Sequence, residues 1–234
     1  GVDCGSQRVA GIGTGSSAIQ SIPIIAEQAD QLTVFQRTPN FSVPAHNGLQ
    51  DLEEEAEVKK NYRAFRASGR AQPIAWDTAG NERTAEEHTP EEIRTECERR
   101  WKMGGLYFYG TFADLLVGKE ANDIVADFVR SKIRERVKDP QLADALSPES
   151  IFGCKRVCVD TDYFETYNRS NVALVDIAQS GIEEITTQGV RANGKEYAVD
   201  AIVTATGFDA MTGSLDRIDI QGKAGLKLKD KWHA

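Results

Sequence analysis

The stretch that decides the fold runs Val9-Ala10-Gly11-Ile12-Gly13-Thr14-Gly15-Ser16-Ser17-Ala18-Ile19-Gln20. Val9–Ile12 is a short apolar run, Gly13–Gly15 break it, and Ser16 or Ser17 can cap the helix that follows. Ile19, Ile22, Ile25 and Ala26 then recur at helical spacing and give one apolar face. Pro23 lies inside that helix without an N–H to donate, so a kink is expected there. Leu32-Thr33-Val34-Phe35 reads as a second strand, and the whole unit has the length of a βαβ crossover. Gly13–Ala18 is therefore a G-x-G-x-x-A motif between a strand and a helix. Gly13 permits the tight turn, Gly15 lets backbone approach a pyrophosphate, and the small Ala18 lets helix and strand pack closely. The turn residues Thr14, Ser16 and Ser17 stand where the helix N-terminus offers N–H groups and partial positive charge to phosphates. A plain strand-to-helix turn is the blander reading of the same string.

The end of the second strand selects the dinucleotide. An NAD-binding unit wants Asp or Glu about twenty residues past the glycines, to hold the ribose 2′-hydroxyl. Gln36-Arg37-Thr38 offers a guanidinium and a hydroxyl instead. A planar charged donor suits the 2′-phosphate of NADPH. The alternative is a surface arginine that happens to follow a strand.

From about Asp51 to Asp144 the sequence turns charged and helix-forming. Asp51–Arg66 mixes Glu with Lys and Arg, and Thr89-Pro90-Glu91-Glu92 is a helix start with cap, first-position proline and first-turn acids. Phe112–Val117 and Ile124–Val137 carry apolar residues at three- and four-residue steps. The stretch reads as a helical insertion whose charges form a solvated face. Beyond Pro148 strands return. Val172–Val175 is one, Ile182–Gly189 and Val190–Val199 suggest a hairpin turning at Asn193-Gly194, and Ala201–Ala205 has the continuous apolar character of a strand buried in a parallel sheet.

At 234 residues, 40% hydrophobic and 27% charged, the chain has the composition of a globular protein able to bury a core. Its 28 Lys and Arg against 36 Asp and Glu leave a net charge of −8, which argues against nucleic-acid partners. No apolar run approaches the length of a membrane helix, and no basic-then-apolar leader opens the chain. Cys4, Cys97, Cys154 and Cys158 hold no C-x-x-C pair, so neither a disulfide framework nor a zinc site is indicated, and a cytoplasmic, reducing setting is expected. Cys154 and Cys158 read as small buried hydrophobes. His46, His88 and His233 have no partner spacing for a metal or a triad. Trp76, Trp101, Trp232 and Tyr107-Phe108-Tyr109 read as core or interface residues, with a substrate-facing role as the alternative for 107–109.

Several stretches resemble the flavin-dependent Baeyer–Villiger monooxygenases, close to the cyclohexanone, phenylacetone and steroid monooxygenase group. They are Val9–Gln20 (VAGIGTGSSAIQ), Val34–Pro44 (VFQRTPNFSVP), Phe152–Asp160 (FGCKRVCVD), Tyr163–Val172 (YFETYNRSNV) and Ala205–Gly213 (ATGFDAMTG), in the family's order over nearly the whole chain. The resemblance implies an α/β fold: a Rossmann-like NADPH-binding domain with a mainly helical insertion, inside a flavoprotein with two dinucleotide domains. Residues 1–50 and 148–200 would form the NADPH domain, 51–147 the insertion, and 201–234 the return toward an FAD domain. It implies that NADPH delivers a hydride to FAD, that reduced flavin combines with O₂, and that the flavin peroxide attacks a ketone to give an ester or lactone. By the same resemblance Arg37 and Thr38 bind the 2′-phosphate, Lys155 is a third contact to it, and Arg156 matches the active-site arginine that stabilises the anions of the reaction. Ala205-Thr206-Gly207 matches the strand returning to the FAD domain, where Gly207 allows close backbone approach; Asp209 has no assigned role.

There are departures. The family's N-terminal FAD motif and its F-x-G-x-x-x-H-x-x-x-W fingerprint are absent, the C-terminal part with much of the substrate pocket is missing, and Gly11 stands where the family has Val, which is expected to loosen the first strand. The chain, opening Gly1-Val2-Asp3, reads as an internal piece whose activity belongs to a parent polypeptide and its FAD domain. The rival readings are a flavin monooxygenase that oxidises nitrogen or sulfur, against which Lys155-Arg156 in its FGCKR context speaks, and a non-catalytic NADP-binding module.

Overall fold

Successive side chains of a strand point to opposite faces, and in β1 (Arg8–Ile12) this sorts the core into two halves. Val9 packs with Ile19 and Ile22 of α1 (Ser16–Gln28), whereas Ala10 packs on the far side of the sheet. In β2 (Gln31–Gln36), Leu32 and Val34 join the α1 side and Phe35 the other. The computed structural model describes residues 3–72, 80–209 and 212–232, so Trp76, His233 and the Ala210-Met211 pair of the ATGFDAMTG stretch lie outside the described residues.

After β3 (Ser42–Pro44) the chain enters helical structure: α2 (Leu52–Lys60), α3 (Tyr62–Ala71), α4 (Pro90–Met103), α5 (Lys119–Arg136) and α6 (Pro140–Leu146). It then forms β4 (Cys158–Asp160), the short α7 (Tyr163–Thr166), β5 (Val172–Asp176), β6 (Glu184–Ile185), β7 (Gly189–Ala192), β8 (Lys195–Ala198) and β9 (Ala201–Thr204). Two short helices follow, α8 (Gly213–Asp216) and α9 (Leu228–Trp232). The main sheet is parallel in the order β5-β2-β1-β9, with Val9 opposite both Leu32 and Ala201. Helix α1 covers one face. The antiparallel β6-β7-β8 sheet covers the other, where Phe35 meets Tyr197 edge-to-face at 5.2 Å. Burial on both faces explains the near-continuous apolar runs of β1 and β2.

Several expectations are corrected in detail. Neither Ser16 nor Ser17 caps α1; Gly15 is the cap residue and no side chain bonds to the first turn. The helix runs unbroken through Pro23. The Asp51–Arg66 stretch is helical as expected, in two helices parted at Asn61. Phe112–Val117 is irregular turn rather than helix. The hairpin is β7–β8, its Asn193 and Gly194 both at positive φ (52° and 69°) as a two-residue I′ turn requires, and β6 adds a third strand. Strand β9 is an edge strand and only half-buried, not the enclosed strand its apolar run suggests. Gly11 is buried and paired on both sides, and a Cβ there would meet Leu32 at 3.8 Å, an ordinary contact. Strand β1 is therefore continuous, not loosened.

The helical region shares the core on the α1 side of the sheet and adds aromatics to it: Trp101, Phe108 and Phe128 pack mutually at ring distances of 6.0–6.1 Å. Helix α4 begins as read: Thr89 Oγ1 accepts from the Glu92 N–H (3.3 Å) while Glu92 Oε2 accepts from the Thr89 N–H (2.7 Å). The two ends of the region are tied together by a second small sheet, in which β3 and β4 pair in parallel from Ser42–Cys158 to Pro44–Asp160. Arg136 at the end of α5 reaches across this junction to the fully buried Asp160 (2.8 Å) and to Glu165 of α7 (2.5 Å).

Candidate functional site

The chain leaves β1 at Gly13, where φ is +107° and a Cβ would lie 2.4 Å from the Ala205 carbonyl oxygen. Conformation and room both demand glycine. The Gly13 N–H donates to the Phe35 carbonyl (2.9 Å). Thr14 is buried; its hydroxyl donates to the Thr38 carbonyl (3.1 Å) and its own carbonyl accepts from Asn40 Nδ2 (2.8 Å). These bonds lock the glycine turn to the segment after β2. Thr14's hydroxyl is therefore engaged inward, and its backbone is what it offers a ligand. Around Gly15 the space is open, with nothing within 4 Å of a built Cβ. The first intrahelical bond runs from the Ile19 N–H to the Gly15 carbonyl (2.9 Å), so the N–H groups of Ser16, Ser17 and Ala18 precede it at the helix's positive end.

A cavity of about 400 Å³ opens over this turn. Gly13–Gly15, Arg37, Thr38, Lys155 and Ala205–Gly207 all line it, so residues from four distant parts of the sequence converge there. Arg37, Thr38 and Lys155 are exposed, while Ile177 and Ile182 supply an apolar wall. Of the remaining turn residues, Ala18 is buried under the helix, Ser17 is exposed on α1, and Ser16 faces a different space. Gly207 has φ +91° and nothing within 4 Å of a built Cβ, so among the described residues its glycine is demanded by conformation and not by close approach.

Ser16 and Arg156 line an adjoining cavity of about 390 Å³, together with Tyr107 and Cys158. The two cavities meet along the Gly15–Ser16 and Lys155–Arg156 peptides: in each pair the first residue lines one chamber and the second lines the other. Arg156 thus stands beside the Arg37 cleft but outside it. Burial raises the Cys158 thiol above its ordinary pKa, against the lowering effects of its bond with Ser16 and the charge of Arg156, so it stays a neutral thiol. Cys154, expected to be buried, is exposed.

Of the three aromatics, Phe108 is core, Tyr109 packs on Phe152 (6.1 Å), and Tyr107 lines the Arg156 chamber. His88 is held by the Thr84 carbonyl (2.7 Å) and Asn81 (3.0 Å), and His46 by the Trp101 carbonyl (3.2 Å). Among the described residues no three His, Cys, Asp or Glu side chains form a metal-binding group, and no helix is long and apolar enough to cross a membrane. Asn40 escaped the sequence reading. No motif marks it, because its partner is a backbone carbonyl.

No protein-family model matches the chain. It is 43% identical over 234 residues to 2-oxo-Delta(3)-4,5,5-trimethylcyclopentenylacetyl-CoA monooxygenase of Pseudomonas putida, covering 99% of this chain and 43% of that protein. It is 38% identical over 235 residues to a Baeyer-Villiger monooxygenase of Pseudooceanicola batsensis (99% and 43%). Identity to phenazine N-monooxygenase PhzNO1 of Lysobacter antibioticus is 37% over 229 residues (97% and 42%). Among solved structures, an oxidised steroid monooxygenase bound to NADP matches with a TM-score of 0.93 at 46% identity, covering all of this chain and 45% of that one. The chain spans less than half the length of the relatives it matches.

Proposed function

We propose that this chain, which along its whole length is related to the Baeyer–Villiger monooxygenases, is the NADPH-binding part of an enzyme that inserts one oxygen atom of O₂ into a ketone to give an ester or lactone. Residues 1–50 and 148–200 make up the NADPH-binding domain, 51–147 its helical insertion, and 201–234 the return toward the FAD domain carried by the rest of the polypeptide.

The carrying observation is the convergence of Arg37, Thr38, Lys155 and the uncapped end of α1 on one cleft beside the Arg156 chamber. The residues present fit NADPH. Gly15 leaves room for backbone contact with the pyrophosphate, and the first-turn N–H groups of α1 supply its donors. Arg37 provides a planar fork and Thr38 a hydroxyl for the 2′-phosphate, with Lys155 completing the grip as a point charge. Ala205–Gly207 close the side of the cleft next to Gly13. The described residues hold a single glycine-rich dinucleotide turn, which suits FAD being bound by the remainder of the polypeptide. FAD, when bound, supplies the oxygen-transfer chemistry. The part of Arg156 is to present a permanent charge to the anions that develop on substrate in the adjoining chamber, a stabilisation that needs no reorganisation at the moment of reaction. A cytoplasmic setting goes with this reading.

A second reading is supported by the similarity to a phenazine N-monooxygenase. The test is to supply the full-length protein with FAD, NADPH and O₂ and offer it a cyclic ketone, a thioether and a nitrogen heteroaromatic. Ester or lactone must form for the first reading to stand. Sulfoxide or N-oxide without ester transfers the assignment to the second, and NADPH binding without any oxygenation leaves a binding module.

A further inference from the structure

We infer that Tyr109 is a positioning residue for Arg156: its hydroxyl, presented by the helical insertion, accepts a hydrogen bond from the Val157 N–H (3.1 Å) and so fixes the peptide that carries the arginine into its chamber.

Arg156 is exposed, and no ion pair to a carboxylate is found for its side chain among the described residues, so its aim depends on its backbone. That backbone is clamped from one side by the insertion. The buried Asn122 amide bonds both polar groups of Phe152, accepting from its N–H (2.9 Å) and donating to its carbonyl (2.9 Å). Gly153, at φ +83°, passes so close to Tyr109 that a Cβ would lie 3.2 Å from the ring. Tyr109 then closes the loop at Val157, and beyond it the Cys158 N–H donates to the Phe41 carbonyl (2.9 Å). Between Gly153 and Cys158 two side chains bond backbone groups among the described residues: the Cys158 thiol donates to the Arg156 carbonyl across a long 3.8 Å, and the Tyr109 hydroxyl, brought in from the helical region, accepts from the Val157 N–H at 3.1 Å. Arg37 and Thr38 follow β2, so loosening this loop reaches the proposed coenzyme grip only through Lys155.

The functional part of this inference rests on the proposed oxygenation; the structural part does not. The test compares wild type with Tyr109→Phe in the full-length protein by three measurements: amide hydrogen exchange, NADP⁺ affinity, and ester formed per NADPH oxidised with a cyclic ketone. Phe keeps the ring against Phe152 and Gly153, so a role confined to packing changes none of the three. The expected result is exchange about fivefold faster in the 153–158 peptide but not in β1 or β2, the ratio for one lost net hydrogen bond. NADP⁺ affinity stays within about twofold, while ester per NADPH falls about tenfold as the arginine loses its aim. Unchanged exchange at 153–158, or faster exchange with undiminished ester yield, overturns the inference, as does an equal loss of affinity and yield. Should wild type make no ester, the oxygenation reading fails, and the exchange comparison still decides whether Tyr109 clamps the loop.

Discussion

Arg37 extends from the end of β2 into the cleft on an exposed stem. Water competes for such a group, so its worth to a ligand lies in a charge-assisted bond that only a phosphate can complete. Arg37→Ala is expected to weaken NADPH binding by about 1.5–3 kcal/mol while NADH binding hardly changes. Fluorescence titration with both nucleotides checks it, and equal losses would remove the arginine from the 2′-phosphate. Arg37, Thr38 and the glycines were legible because a βαβ unit fixes how far past the turn the second strand ends. Lys155 and Arg156 were legible only through the family resemblance, since spacing alone makes them an ordinary basic pair. Asn40 and Tyr109 were not legible at all. Each acts on a backbone group, Thr14 carbonyl or Val157 N–H, and such partners leave no trace in residue type.

Among the elements, β1 and β2 could be read because apolar runs flank the glycine turn, α1 because its isoleucines recur at helical spacing, and α4 because Thr89 and Glu92 form a capping box. Strands β3 and β4 could not, being three residues each and paired only through the fold. The apolar run of β9 pointed to an enclosed strand, yet β9 lies at the sheet edge, where apolar composition and burial part company. Besides its backbone pairing, that edge is tied to β1 at its start by Arg8, whose backbone N–H and guanidinium both donate to Asp200 (2.9 Å and 2.7 Å). The guanidinium bond, helped by the backbone N–H, holds the Asp200 carboxyl down to about 2 from an ordinary 3.8. A carboxylate with a lowered folded-state pKa contributes stability that is complete above 3.8 and is lost as pH falls toward about 2. Asp200→Asn is therefore expected to show a smaller drop in urea midpoint than wild type between those two pH values, and identical drops would disprove the link.

At the scale of the molecule, the βαβ unit and the helical region after it follow from patterning, but the antiparallel sheet on the far face and the fastening of the helical region do not. Arg136, Asp160 and Glu165 come from α5, β4 and α7, and their junction, buried at Asp160 and open to solvent at Glu165, couples the helical region to the small sheet that continues the Lys155–Arg156 loop. Removing one member of a buried ion group leaves charge without compensation. Asp160→Ala is expected to cost about 3 kcal/mol in urea unfolding, at the low end for such pairs because Glu165 still meets the guanidinium; a cost under about 0.5 kcal/mol would mark the junction as slack. The back-to-back setting of residues 155 and 156 has a bearing on redesign. Neighbours on one peptide that line separate cavities share their torsions, so a substitution at the lysine would disturb the arginine next door. On the proposed function, a designer seeking an NADH-using variant should begin at Arg37 and Thr38, which line one cavity and not the one that Arg156 lines.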